Sequence, residues 1–198
     1  MTIWYLARGA GMVALIAFTA STALGALAAR HPRSHDAASL DRRFLTQMAH
    51  RSAAVTGLFM LLAHVVLIVI DVYVPVSITG TLLPFTAGYR PVALGVGTIA
   101  VYLFVLGAVS GALRGRLATS AAAARRWRTV HLAAYVGWAL SMGHGIFAGT
   151  DTGAWWSTAI YAACGLAVAA ALVVRLRSEQ VTRAEPLTAA RTLTRSSS

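Results

Sequence analysis

Long apolar runs, separated by short arginine-bearing segments, constrain this chain more than any other feature. Five runs stand out, roughly Gly9 to Ala29, Ser52 to Ile70, Val92 to Leu113, Val130 to Phe147 and Ala154 to Val174. Each meets the ~18-residue length at which an apolar helix can cross a bilayer. A soluble fold would need a polar outer surface, yet 12% of the 198 residues are charged and 58% are hydrophobic. A soluble domain carries about twice that charged share. The expected fold class is therefore all-α, an integral membrane bundle of five transmembrane helices in the cell membrane as a multi-pass protein. The lipid bilayer is its first partner.

The formal net charge is +11 and every one of the 17 basic residues is arginine. These arginines fall in short segments between apolar runs, a topology pattern and not a groove-tracking patch, so nucleic acid is not an expected partner. Arg30, Arg33, Arg42, Arg43 and Arg51 precede the second run, and Arg114, Arg116, Arg125, Arg126 and Arg128 precede the fourth. Arg175, Arg177, Arg183, Arg191 and Arg195 follow the fifth, leaving only Arg8 and Arg90 on the other side. By the positive-inside rule the N-terminus is expected outside and the C-terminus in the cytoplasm. Trp4, Tyr5, Trp155 and Trp156 then form an outer aromatic belt, with Trp127 at the inner boundary.

The first run ends in small residues (GALAAR), as a signal peptide would, but it is about 21 residues long and most positive charge follows it. A retained first helix is expected. The second and fourth spans should continue as helix into the cytoplasm, since SLDRRFLTQMAH and SAAAARRWRTVH hold good helix formers and no breaker. No repeat with a period of 20 to 50 residues is evident. Residues 1–177 form the membrane domain, and 178–198 read as a disordered cytoplasmic tail, too short for a flavin or nicotinamide site. The single cysteine, Cys164, excludes an intrachain disulfide, a cysteine-ligated iron–sulfur cluster and a thiol relay.

Six histidines occur. His31 and His35 lie in a polar loop (RHPRSHD) and take no role. The other four, His50 and His64, then His131 and His144, lie in or at the edge of spans two and four. Ionisable side chains at membrane depth are costly and usually functional. Spans two and four run in the same direction, so His50 is level with His131 and His64 with His144. The two levels are ~21 Å apart along span two and ~20 Å along span four. A dinuclear metal site would need all four side chains within a few ångströms. Two bis-imidazole sites stacked across the bilayer instead suit haem iron, which takes one axial ligand from each flanking helix.

The angular fit is uneven. Fourteen residues return a helix to within about 40° of its starting face, so His50 and His64 share a face. Thirteen residues leave His144 about 140° from His131 on a straight helix. Span four must be distorted or tilted, or the two haems rotated, and Gly137, Gly143 and Gly145 could permit a distortion. Gly57, midway between His50 and His64, would leave room between two macrocycles or serve ordinary close packing. Arg51, Arg126 and Arg128 cluster beside the inner pair, where they suit haem propionates, though the positive-inside rule alone also puts them there. Trp138 falls between the two histidine levels.

The segments HRSAAVTGLFMLLAH and WRTVHLAAYVGWALSMGH, with LLPFTAGYRPVALGVGTIA leading into span three, resemble the ferric reductase-type transmembrane domain. That group includes ferric reductases, the membrane half of NADPH oxidases and the haem subunit of a bacterial periplasmic methionine sulfoxide reductase. The resemblance covers roughly residues 8 to 175. It implies two b-type haems, with His50 and His131 as axial ligands of the inner iron and His64 and His144 of the outer. Many members have six spans, and the reductases and oxidases carry a flavin/nicotinamide domain that this chain lacks. The expected role is the haem-binding membrane subunit of an oxidoreductase, without its own NAD(P)H site. FAD or FMN would come only through a partner protein.

Bis-histidine haem has no open axial position, which suits electron transfer over oxygen binding. The expected activity is electron transfer from a separate flavoprotein, membrane quinol or other redox donor to an external acceptor, such as ferric iron, a flavin or a partner protein. The outer segment with Phe85, Tyr89 and Arg90 is a candidate acceptor surface or an interfacial anchor. The alternative is a membrane transporter whose histidines relay protons or bind a transition metal. It would draw on intramembrane carboxylates, for which Asp71 is the sole candidate.

Overall fold

The computed structural model describes residues 2–28, 37–72, 74 and 76–196, with side chains described to Arg177 and Ser178. Among these described residues eight helices follow in order: α1 (Thr2–Ala28), α2 (Ala37–Ile70), α3 (Ile78–Leu82), α4 (Pro91–Ala112), α5 (Arg114–Leu117), α6 (Ala121–His131), α7 (Ala133–Ala148) and α8 (Trp155–Ser196). No strand occurs among the described residues. This suits a chain for a bilayer, where backbone polar groups must be satisfied within each segment.

Among the described residues four helices are long and apolar enough to cross a membrane: Thr2–Ala28, Ala37–Ile70, Pro91–Ala112 and Trp155–Ser178. The expectation was five. The difference lies in the fourth apolar run, which is not one helix. It is divided at Leu132, and α7 alone is 16 residues long, or ~24 Å, against a hydrocarbon core of about 30 Å.

The burial pattern is that of a lipid-facing surface. Along α2, Val55, Phe59, Leu62 and Val66 form a helical stripe that is 66%, 66%, 62% and 48% exposed. In water such a stripe would be turned inward. The interior is small and made of close contacts: Ala14, Phe18, Ala100 and Phe104 form its centre, with Leu58, Leu61, Trp138 and Leu140 packed on it.

Two helical hairpins make the bundle. α2 packs along α1, α7 packs along α4, and α8 lies against α1. Local chemistry sets the boundaries. Ser77 caps α3 by accepting from the Gly80 amide at 3.0 Å, Ser120 caps α6 by accepting from Ala123 at 3.2 Å, and Pro91 opens α4. Between α3 and α4, Phe85 and Arg90 take positive φ (68° and 41°). The connection is held by Arg90 Nη1 donating to the Phe147 carbonyl at 2.7 Å and by Tyr102, which donates to the Leu82 carbonyl.

The helical extensions before the second and fourth apolar runs are present, since α2 starts at Ala37 and α6 at Ala121. The segment from Ser178, expected as an irregular tail, continues α8 as helix to Ser196. Its alanines, leucines, glutamates and arginines are good helix formers.

Candidate functional site

The two hairpins bring the four histidines into two facing pairs. His50 and His131 have ring centres 6.2 Å apart with planes at 70°. His64 and His144 have ring centres 6.4 Å apart with planes at 76°. Each pair takes one ring from α2 and one from the α6–α7 segment, and none of the four rings is left to orient itself.

In every case Nδ1 is held by a carbonyl of the neighbouring helix. His50 Nδ1 donates to Ser21 O at 2.8 Å and His64 Nδ1 to Ala7 O at 2.7 Å, both on α1. His131 Nδ1 donates to Gly107 O at 3.1 Å and His144 Nδ1 to Ala93 O at 2.8 Å, both on α4. A carbonyl can only accept, so each Nδ1 carries a proton, and in the neutral ring that leaves the lone pair on Nε2. Ser21 Oγ and Ser110 Oγ add contacts of 3.1 Å to the Nδ1 atoms of His50 and His131.

These contacts depend on glycine. Four residues after each accepting carbonyl stands Gly11, Gly25, Gly97 or Gly111. A helical side chain leans back over the preceding turn, so any side chain at these positions would cover the carbonyl that the histidine uses. The clearances agree. A Cβ on Gly97 would stand 2.6 Å from His144 Nδ1, and one on Gly11 2.9 Å from His64 Nδ1. At Gly25 and Gly111 it would stand 3.3 Å from Cε1 of His50 and His131.

The hairpins are therefore a repeat of one device. α1 reads Gly11, Phe18, Gly25 and α4 reads Gly97, Phe104, Gly111, each with the phenylalanine midway between glycines fourteen residues apart. Phe18 and Phe104 meet at the centre of the bundle, stacked with ring centres 3.7 Å apart and planes at 6°. Gly57 faces this stack: a Cβ there would stand 2.9 Å from the Phe18 ring. Trp138 joins the same layer and donates from Nε1 to Thr19 Oγ1 at 2.8 Å.

The thirteen-residue histidine step is taken up at Leu132, between α6 and α7. There Tyr135 N donates to Leu132 O at 3.0 Å, a bond spanning three residues. Such tight turns advance about 120° per residue instead of about 100°, which winds His131 back toward the face of His144. Gly137, Gly143 and Gly145, the expected sites of distortion, lie within unbroken α7. Gly137 permits close approach of Leu103, whose Cβ would be 3.0 Å from an added Cβ, and Gly145 makes room for the Tyr161 hydroxyl.

A cavity of about 720 Å³ surrounds His64 and His144, running from Phe18 and Phe104 to a mouth at Arg8 and Asp151. That volume is within the ~300–1,000 Å³ of ordinary small-molecule and cofactor pockets. At the other pair, Trp127 stacks on His131 (5.2 Å, 16°) and donates from Nε1 to Ser110 O at 2.8 Å. The guanidinium of Arg114 lies 5.1 Å from the Trp127 ring centre.

Arg51, Arg126 and Arg128 are exposed, so the structure brings the four histidines together but leaves these three arginines at the surface. His31 and His35 lie outside the described residues. Among the described residues no group of three or more His, Cys, Asp or Glu converges as a metal site. Comparison with protein-family models, curated proteins and solved structures finds no match to this chain.

Proposed function

We propose that this chain is a transmembrane electron-transfer protein that holds two b-type haems, one between His50 and His131 and one between His64 and His144. The observation that carries it is the spacing of the two ring pairs. A metal–imidazole bond of about 2.0–2.1 Å plus ~1.1 Å from nitrogen to ring centre would set two axial imidazoles about 6.3 Å apart. The measured separations are 6.2 and 6.4 Å. Two protein nitrogens per level are too few for a bare transition metal but are the complete protein share for haem iron, whose macrocycle fills the other positions.

The second observation is orientation. Metal-ligating histidines usually donate their other nitrogen to a carbonyl or carboxylate, which fixes the tautomer and strengthens the ligand. All four rings meet that condition through Ala7, Ser21, Ala93 and Gly107. When bound, the haems would supply reversible one-electron chemistry at two depths of the membrane. The protein's part is to hold four neutral imidazoles, clear the space beside them with glycines, and fill the layer between them with Phe18, Phe104 and Trp138.

In this proposal α6 and α7 together make a fifth crossing. Arginine distribution then puts the N-terminus and the His64/His144 pair on the outer side, and the His50/His131 pair on the cytoplasmic side. α1 is retained in the working protein because it supplies two of the four carbonyls. Arg51, Arg126 and Arg128 are proposed propionate partners on the cytoplasmic side. Electrons would come from a flavoprotein or quinol and leave to an external acceptor. The transporter alternative has less support, because Asp71 is engaged with the Val74 amide at 3.3 Å at the end of α2.

The test is electron transfer across a sealed vesicle. Proteoliposomes with dithionite trapped inside should reduce external ferricyanide at a rate proportional to the protein incorporated, and His64→Ala should abolish it. Equal rates with and without protein, in vesicles shown to contain haem-loaded chain, would refute the electron-transfer function.

A further inference from the structure

Two arginines stand at the His64/His144 end of the bundle, and their surroundings differ. Arg90 is committed to the connection before α4: it donates to Phe147 O at 2.7 Å and lies 5.4 Å from the centre of the Tyr89 ring. Arg8 instead lines the large cavity with His64 and His144. It is three residues, or ~4.5 Å of helix rise, from Gly11 toward the mouth. The Arg8 side chain is 24% exposed, braced by the Tyr5 ring at 5.4 Å and by an ion pair from Nη2 to Asp151 Oδ2.

The same cavity carries a second signal. Ser157 is 1% exposed, lines the same cavity and has no hydrogen-bond partner among the described residues. A buried, unpaired hydroxyl is costly unless a ligand completes it. Ser157 stands in the first turn of α8, where the first intrahelical bond is Thr158 N to Ala154 O. The amides of Trp155, Trp156 and Ser157 precede that bond and form the positive end of the helix.

We propose that this mouth is a carboxylate site, with Arg8 as its cation and Ser157 and the first turn of α8 as neutral donors. The proposal rests on haem at the His64/His144 level and names the residues that hold its propionates there. A guanidinium has five N–H donors. Asp151 takes one edge of the fork and orients it, leaving other N–H groups for a second carboxylate. Asp151 is thus a positioning residue, and its negative charge would oppose that of Arg8 at a haem iron held by His64 and His144.

Opposed charges give effects of opposite sign on the reduction potential, which a purely structural role would not produce. With haem bound, Arg8 would favour the reduced, less positive iron and Asp151 the oxidised one. In optical redox titrations of the full chain in detergent, Arg8→Gln should lower the potential of one of two haems, and Asp151→Asn should raise that of the same haem. Arg8→Lys, which keeps the charge, should stay closer to wild type than Arg8→Gln. In a His64→Ala background, which keeps only the His50/His131 haem, Arg8→Gln should have no effect. Unchanged potentials in haem-loaded Arg8→Gln, or equal shifts of both haems, would overturn this site alone. A wild-type chain without haem would overturn the function proposed above and this site with it.

Discussion

The histidines depend on residues that carry no reactive group. Gly11 and Gly97 are the tightest cases, since an added Cβ would come within 3 Å of the rings of His64 and His144. Gly25 and Gly111 have more room at 3.3 Å, a distance that small shifts can absorb. Gly97→Ala should therefore displace His144 and reduce haem content from two per chain to one. Gly111→Ala should retain both. Haem-to-protein ratios of the two purified variants check this contrast, and equal ratios would show that the clearances do not matter. The histidines themselves were legible in the sequence because ionisable groups in apolar runs are rare. The glycines were equally visible at fourteen-residue steps in α1 and α4, the step that separates His50 from His64. Sequence alone does not mark them, because glycine in a membrane helix has an ordinary packing explanation. Only the contacts tell Gly97 from Gly143, which would meet nothing within 4 Å.

At the scale of elements, the break at Leu132 is the feature that periodicity could suggest but not locate. The thirteen-residue step required a distortion somewhere in span four, and three glycines offered places for it. The chain instead turns tightly next to His131, at the junction of a polar amphipathic helix and an apolar one. α6 belongs to the arginine-rich surface and α7 to the bundle, so the junction lies where the environment changes. Inserting one alanine after Leu132 would rotate one histidine against the other by about 100°. The expected outcome is loss of one haem while α4 and α7 remain packed through Gly107 and Gly137. Full haem content in the insertion variant, measured against protein by pyridine haemochrome assay, would mean that the break does not set the register. The apolar runs themselves were easy to read, since length and hydropathy decide them. The number of crossings was not, because a helix divided near one end no longer meets the length criterion that its apolar residues suggested.

The core of the bundle is two hairpins of one plan, α1 with α2 and α4 with α6 and α7, and α8 lies against α1. Each copy pairs a helix of glycines and a central phenylalanine with a helix of histidines, and each histidine pair takes one ring from each copy. The sequence hides this arrangement because the copies share a few residues at fixed steps and little else. Haem stoichiometry decides whether the two facing pairs hold two bis-histidine haems. The full chain purified from haem-replete cells should contain two haems per polypeptide, with a Soret band and sharp low-spin α-bands on reduction, and His64→Ala should keep one. A colourless wild-type preparation, or a His64→Ala variant with both haems and unchanged spectra, would contradict it.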